Sequence, residues 1–368
     1  MYIDSELKNK KIIIAGGGTG GHIYPAISIA EALWKKAPQT EILFVGTPLG
    51  LESKILSKLN YKLELIQSGK LNFKGQIFQK IKTLIKIPVG ILQSIGIILK
   101  FKPDVVLGVG GYASAPMLMA AVLCGKKTMI WEPNAHPGMA NRILSKFVPR
   151  AYLVFDEAKK YMQSREQIVL GMPLREEIEN KSQREVLEHK DSSVFTILCF
   201  GGSQGSQFLN DKLSDFVLSH PELHNKIRVF HQTGSLDYQR IKNKYRSVSC
   251  VEVFEYIYDM PRYYQQADVL FCRGGASTLS EAAAFGVVPI VVPLPAADDH
   301  QQRNAEALVG VGAAYMLLQK QFDAKEFENI LLNLMSDSSL KNRMSEKLKH
   351  KAPIGASQNI ARDILARG

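Results

Sequence analysis

Four times in this chain a short apolar run rich in β-branched residues ends in a glycine-rich turn and passes into a helix-forming segment. KIIIA leads to Gly16-Gly17-Gly18-Thr19-Gly20-Gly21-His22, and DVVLG to Val109-Gly110-Gly111-Tyr112-Ala113-Ser114. FTILCF leads to Gly201-Gly202-Ser203-Gln204-Gly205-Ser206, and DVLFC to Arg273-Gly274-Gly275-Ala276-Ser277-Thr278. Further β-rich runs, EILFV (41–45), TMIW (128–131), IRVFHQ (227–232), CVEVF (250–254) and VPIVVP (288–293), lie between helix-length segments. That alternation builds βαβ units and parallel sheets. With 368 residues the chain is long enough for two domains. The expected fold is α/β, two Rossmann-like, doubly wound parallel-sheet domains. Ligands of such sheets sit beyond the carboxyl ends of the strands, so two domains facing a cleft would gather all four turns around it. A strand-like IVL running into Gly171-Met172-Pro173-Leu174-Arg175 marks the boundary. The expected division is 1–171 with 354–368, and 172–353.

Glycines at a strand-to-helix turn let backbone N–H groups approach an anion, commonly a phosphate. The first turn also matches GxGxxG at Gly16, Gly18 and Gly21. A dinucleotide site needs an acid at the end of the second strand for a ribose hydroxyl. Here EILFV runs into Gly46-Thr47-Pro48, so that requirement is unmet. A Walker loop fails as well, because His22 and Ile23 follow Gly21 where Lys and Ser or Thr are required.

The formal charge of +11 is divided unevenly: residues 1–170 hold 23 basic and 11 acidic residues, and the remainder 23 and 24. Between Ile66 and Pro103 lie Lys70, Lys74, Lys80, Lys82, Lys86, Lys100 and Lys102 with no acid, interleaved with Leu71, Phe73, Ile77 and other apolar residues. Such a segment is either an ordinary solvated helix face over a core face or a patch that meets an anionic membrane surface. Nucleic acid is the rival anion, but no binding motif or aromatic stacking platform supports it. The longest apolar stretch, Ile87 to Leu99, is 13 residues, short of the roughly 20 that span a bilayer. The N-terminus lacks a signal-peptide core. Cys124, Cys199, Cys250 and Cys272 are far apart and form no CxxC pair, as expected for thiols of a reducing compartment. A cytosolic location follows.

Read in order, GGGTGGHIYPA, GVGGYASAP, WEPNAHPGMANR, GMPLR, GGSQGS, FEYIYDM and RGGASTLSEAAAFGVVPIVVPLPAADDHQQRNA resemble the motifs of the MurG family over about 300 residues. The resemblance implies the GT-B glycosyltransferase architecture, with a C-terminal helix, here the amphipathic Ile354 to Leu365, crossing back to the first domain. It implies transfer of N-acetylglucosamine from UDP-N-acetylglucosamine to lipid I, giving lipid II for peptidoglycan, by a peripheral protein at the cytoplasmic face of the membrane. The implied partners are UDP-N-acetylglucosamine, lipid I and the anionic membrane surface, with no cofactor. By the same resemblance Glu281 takes the ribose hydroxyls, Ala276, Ser277 and Thr278 hold the diphosphate with Ser203 nearby, and Leu279 and Ser280 count among the substrate-binding residues. Ile257 would present backbone groups to uracil, and Gln301 would hold sugar hydroxyls. Arg175 serves the donor site, Asn134 lies near the sugar, and Thr19, Gly20 and Gly21 add first-turn donor contacts. Gly110, Gly111 and Tyr112 fall on the acceptor side. The family usually reads HEQN where this chain has Trp131-Glu132-Pro133-Asn134, so roles of the two flanking side chains do not transfer.

Inverting transfer needs a base, stabilisation of the departing diphosphate and in-line positioning. GT-B enzymes generally meet the second need with helix N-termini, and no DxD-type metal motif is evident, so no obligatory metal is expected. His22 is the first candidate base, with helix capping or pyrophosphate binding as its alternative. Glu132 is the second candidate, its alternative being a carboxylate that orients Asn134. Asp298 and Asp299 read as loop carboxylates, and His136, His231 and His300 as satisfied histidines. Other enzymes of the same plan are a UDP-N-acetylglucosamine 2-epimerase, disfavoured by the basic apolar patch and the GGYAS and NAHPG segments, and a GT-B transferase with another lipid acceptor.

Overall fold

A computed structural model describes residues 9–48, 50–69, 77–183, 194–296, 298–351 and 353–367, with backbone alone at the helical positions 51, 54 and 77–85. The chain forms two compact units, Met1–Arg175 with Gly355–Gly368, and Glu176–Ile354.

The first unit holds a seven-stranded parallel sheet of β1 (Lys11–Ala15), β2 (Glu41–Gly46), β3 (Leu63–Leu65), β4 (Val105–Gly108), β5 (Lys127–Glu132), β6 (Arg150–Leu153) and β7 (Glu166–Val169). Between them run α1 (Gly20–Lys36), α2 (Leu51–Lys58), α3 (Ile77–Phe101), α4 (Ser114–Leu123) and α5 (Met139–Leu144). Ile12, Ile13, Ile14 and Ala15 are all buried, because helices cover both faces of the sheet and leave no side for an alternating polar residue. The order β3-β2-β1-β4-β5-β6-β7 reverses direction between β1 and β4. That reversal is the switch point at which open parallel sheets bind ligands.

The second unit repeats the plan with α6 (Glu176–Ser182), β8 (Phe195–Phe200), α7 (Gln207–Ser219), β9 (Ile227–Gln232), α8 (Tyr238–Lys244), β10 (Val251–Phe254), α9 (Met260–Gln266) and β11 (Val269–Cys272). It continues through α10 (Ala276–Phe285), β12 (Val288–Val291), α11 (His300–Val309), β13 (Tyr315–Met316), α12 (Ala324–Ser336) and α13 (Ser338–His350). Its six parallel strands lie in the order β10-β9-β8-β11-β12-β13, with the reversal between β8 and β11. The four glycine turns therefore form two pairs, one pair at each switch point.

The last helix, α14 (Ala356–Arg367), belongs to the first unit and packs on α1. It buries Ile360, Ala361, Ile364 and Leu365. Its Asp363 accepts hydrogen bonds from Arg150 and from the Tyr152 hydroxyl of β6. No helix among the described residues is long and apolar enough to cross a membrane.

Candidate active site

At the first switch point the backbones of two turns touch. The Gly17 N–H donates to the Gly110 carbonyl (3.1 Å), and a Cβ on Gly111 would stand 2.1 Å from the Gly17 oxygen. Only glycine permits that approach, and Gly111 also has φ +79°. Glu52 of α2 lies 1% exposed against the first turn. It accepts from the Gly18 N–H (2.6 Å) through one oxygen and from the N–H and hydroxyl of Thr47 through the other. Gly16 N–H donates to Val45 and Gly17 N–H to Gly110, so the first half of the glycine run is committed to the fold. The helix N-terminus at Thr19, Gly20 and Gly21 has no such acceptor among the hydrogen bonds of the described residues. Thr19 makes no side-chain cap there and the first turn carries no acid.

His22 sits in that first turn of α1, half-buried, with Nδ1 3.2 Å from the Thr19 hydroxyl. A Cβ on Gly110 would stand 2.8 Å from its Nε2, so the ring occupies the space that a side chain at 110 would take. Tyr112 is 41% exposed, and its carbonyl accepts from the Ser68 hydroxyl (2.6 Å).

Glu132 ends β5 buried. One oxygen accepts from the N–H and side-chain amide of Asn134 (2.9 and 3.1 Å), the other from the Gly138 N–H (3.3 Å) and the Asn141 amide (2.8 Å). Burial pushes its carboxyl above the usual range against the pull of those donors. The geometry is that of a residue orienting Asn134 and shaping the 133–141 loop. Arg175 closes the first unit, its guanidinium 5.6 Å from the Tyr24 ring centre. The first unit runs through Arg175.

In the second unit the two turns differ. Ser206 caps α7 with its own hydroxyl, and the Gly205 N–H donates to Gly202, while Ser203 is exposed. At α10 Gly275 makes no side-chain cap and no acid lies in the first turn. The first helical bond is Leu279 N–H to Gly275, so the N–H groups of Ala276, Ser277 and Thr278 point out of the helix end. Glu281 shares a face with Ser277 and Thr278, one turn along, whereas Leu279 and Ser280 turn into the core. Gln301 of α11 accepts through Oε1 from the Gly274 and Leu294 N–H groups (3.1 and 3.0 Å). Its –NH2 is thus the end it can offer to a hydroxyl. Ile257 is buried, and its N–H is donated to Gln232 (2.8 Å). A cavity of about 570 Å³ is lined by Gly201, Ser206, Arg273, Leu294 and Gln301 among others. Ile257 and the 276–281 segment are not among its lining residues.

Two family models match the chain: the glycosyltransferase family 28 N-terminal domain over residues 12–153 and the family 28 C-terminal domain over 196–359. A Bdellovibrio bacteriovorus protein named UDP-N-acetylglucosamine–N-acetylmuramyl-(pentapeptide) pyrophosphoryl-undecaprenol N-acetylglucosamine transferase is 50% identical over 97% of this chain and 99% of its own. The chain belongs to the MurG family. A Syntrophus aciditrophicus relative of the same name is 38% identical over 97% of this chain and 98% of its own. Among solved structures, Acinetobacter baumannii MurG superposes with TM-score 0.77 at 28% identity, covering 98% of this chain and 100% of that one. A UDP-GlcNAc 2-epimerase from Neisseria meningitidis bound to UDP-GlcNAc reaches TM-score 0.67 at 15% identity, covering 97% of this chain and 100% of that one. The latter likeness is one of fold alone.

Three residues that hold the glycine turns in place, Arg273, Glu52 and Gln232, were not singled out in the sequence. Arg273 is buried. It donates to the Val292 and Pro293 carbonyls and, at 2.8 Å, to the Ser206 hydroxyl, tying the third and fourth turns together. Burial lowers its pKa, and among the described residues no carboxylate pairs with it, so the cavity wall carries an uncompensated cation fit for an anion. An arginine directly after the apolar strand DVLFC was the available signal. Gln232 had no comparable cue, because its partners Gly202 and Ile257 lie 30 and 25 residues away, and the link of Glu52 to the first turn spans the 34 residues back to Gly18.

Proposed function

We propose that this chain transfers N-acetylglucosamine from UDP-N-acetylglucosamine to the C4 hydroxyl of the muramyl sugar of lipid I, releasing UDP and giving lipid II. The observation that carries the proposal is the full-length 50% identity to a relative named for this transfer. In the proposed mechanism the second unit holds the donor. The N–H groups at the start of α10 and the Arg273 guanidinium take the diphosphate, and they stabilise the charge that develops on UDP as the anomeric bond breaks. Glu281 accepts from the ribose hydroxyls, the Ile257 carbonyl accepts from uracil N3–H, and the Gln301 amide donates to a sugar hydroxyl. Leu279 and Ser280 act through the helix backbone that carries their neighbours, and Ser203 borders the diphosphate.

His22 of the first unit takes the proton of the attacking hydroxyl. With Nδ1–H donated to Thr19, its Nε2 carries the lone pair that a base requires. Attack on the α-linked anomeric carbon then forms the β1,4 bond with inversion. Asn134, aligned by Glu132, faces the sugar. Thr19, Gly20 and Gly21 supply helix-end N–H groups, Arg175 supports the donor, and Gly110, Gly111 and Tyr112 border the acceptor.

We further infer a peripheral position at the cytoplasmic face of the membrane. Val89, Leu92 and Leu99 are exposed along the outward side of α3 beside Lys100, opposite the buried Gly90, Ser94 and Ile98. Apolar side chains flanked by cations suit an anionic bilayer surface. Lys70 and Lys74 lie outside the described residues.

UDP release measured with and without lipid I tests the transfer: release must depend on lipid I. Conversion of UDP-N-acetylglucosamine to its 2-epimer without acceptor would overturn it. His22→Ala is expected to leave UDP-sugar binding near wild type while turnover falls steeply, and equal loss of both would remove His22 as the base.

A further inference from the structure

Three glycines, at 17, 46 and 50, clear the space for one carboxylate. A Cβ on Gly17 or Gly46 would stand 2.4 Å from the Glu52 side chain, and one on Gly50 would stand 1.9 Å from its Oε2. That oxygen is the one that accepts from the Gly18 N–H, while Oε1 takes both donors of Thr47. Among the described residues no cation pairs with Glu52, so backbone and hydroxyl donors alone answer its buried charge. A charge-assisted bond of this kind holds its donor more firmly than a neutral one. Gly18, at φ +90°, joins the glycines bonded to Val45 and Gly110 to Thr19. The Thr19 carbonyl accepts from the His22 N–H (3.1 Å), and its hydroxyl lies 3.2 Å from His22 Nδ1. His22 and Glu52 line one small cavity together with Gly16, Gly17 and Val109.

We propose that Glu52 is a positioning residue of the transfer, acting on the attacking hydroxyl through His22. The proposal rests on the reading of His22 as the base. The path is short: Glu52 fixes Gly18, Gly18 places Thr19, and Thr19 orients the imidazole through its carbonyl and its hydroxyl. Gly110 completes the seat, because the ring fills the space that a Cβ there would need. Gly110 is itself tied to the first turn by the Gly17 N–H. Moving Gly18 therefore turns the ring against Gly110 and takes Nε2 out of line with a hydroxyl. A base acts only within hydrogen-bond reach of the proton it removes, and a displacement of about 1 Å at a reacting group costs up to about a hundredfold in rate. Glu52 is buried, touches no substrate in this scheme and acts through His22.

Gly50→Ala tests the proposal without altering either glycine turn. Gly50 has φ −82° and ψ 158°, a conformation open to alanine, so the added methyl group meets the Glu52 carboxylate and pushes it off Gly18. Turnover of the full chain with lipid I is expected to fall about tenfold, while UDP affinity by calorimetry stays within about twofold of wild type. In a His22→Ala background the same substitution should change the residual turnover by less than about twofold, because the side chain it acts through is gone. A residue that only stabilised the first unit would lower turnover by the same factor in both backgrounds. That equal factor, a parallel loss of UDP affinity, or wild-type turnover in Gly50→Ala overturns the role of Glu52. Should Gly50→Ala fail to unfold cooperatively, Glu52→Gln with and without His22→Ala is read by the same criterion. Wild-type turnover in His22→Ala alone would overturn the base assignment itself.

Discussion

Replacing Asp363 should weaken the hold of α14 on β6, and the size of the effect follows from its partners. Asp363 is the sole carboxylate on this helix. Its side chain is 22% exposed and bridges the Arg150 guanidinium, 4% exposed, and the Tyr152 hydroxyl at 2.6 Å. Asp363→Ala leaves Tyr152 with the Met129 sulfur (3.1 Å) and the neighbouring Arg150, and leaves Arg150 with Glu166. One weakened buried hydroxyl and one lost charge-assisted bond cost about 3 kcal/mol together, less than the full price of an orphaned buried ion because Glu166 remains. Asp363→Asn keeps an acceptor and loses only the charge, so about 1 kcal/mol is expected. For a unit of this size the alanine variant should melt about 6–12 °C lower.

The pH dependence has a definite sign. Burial alone would raise the Asp363 pKa, but hydrogen bonds from Arg150 and Tyr152 outweigh it and hold the carboxyl below its ordinary range. A depressed pKa contributes stability that is complete above the unfolded value, about 3.9, and is lost as pH falls through the folded value. Thermal melts of wild type and Asp363→Ala should therefore differ most near neutrality and converge as pH falls through the folded value. A gap that stayed constant to the lowest pH, or no gap at pH 7, would refute the reasoning.

Glu52→Gln keeps the shape of the side chain but turns an –NH2 toward either Gly18 or Thr47. Turnover should fall at least about tenfold while UDP binding, proposed above for the second unit, stays within about twofold; parallel loss of both would contradict the role given to Glu52. Glu132→Gln should lower turnover yet leave the shape of the pH–rate profile intact, as expected of a residue that orients Asn134. Disappearance of one limb of that profile would make Glu132 the base instead. Changing Lys74, Lys80, Lys82 and Lys86 to Glu should weaken sedimentation with anionic vesicles, each lysine near the surface contributing about 1 kcal/mol; unchanged sedimentation would refute the membrane assignment.

Much of the fold was legible because parallel strands buried on both faces must be written as unbroken apolar runs. KIIIA, FTILCF and IRVFHQ appear as β1, β8 and β9 at the positions read. The strands that left no such mark were β3 and β13, of three and two residues at sheet edges, and β6. The last begins with Arg150, a cation that a core strand tolerates only because Asp363 and Glu166 reach it from elsewhere.

The local chemistry of the sequence determined the four turns, the missing ribose acid and Walker lysine, the lopsided charge and the family motifs. Tertiary structure alone decided which amides of those turns remain open. Gly18 spends its N–H on Glu52, 34 residues away, and Ile257 spends its own on Gln232, 25 residues away, whereas the ends of α1 and α10 stay uncapped. A hydrogen-bond donor is a property of one residue, but its availability depends on whatever acceptor the fold brings within 3 Å.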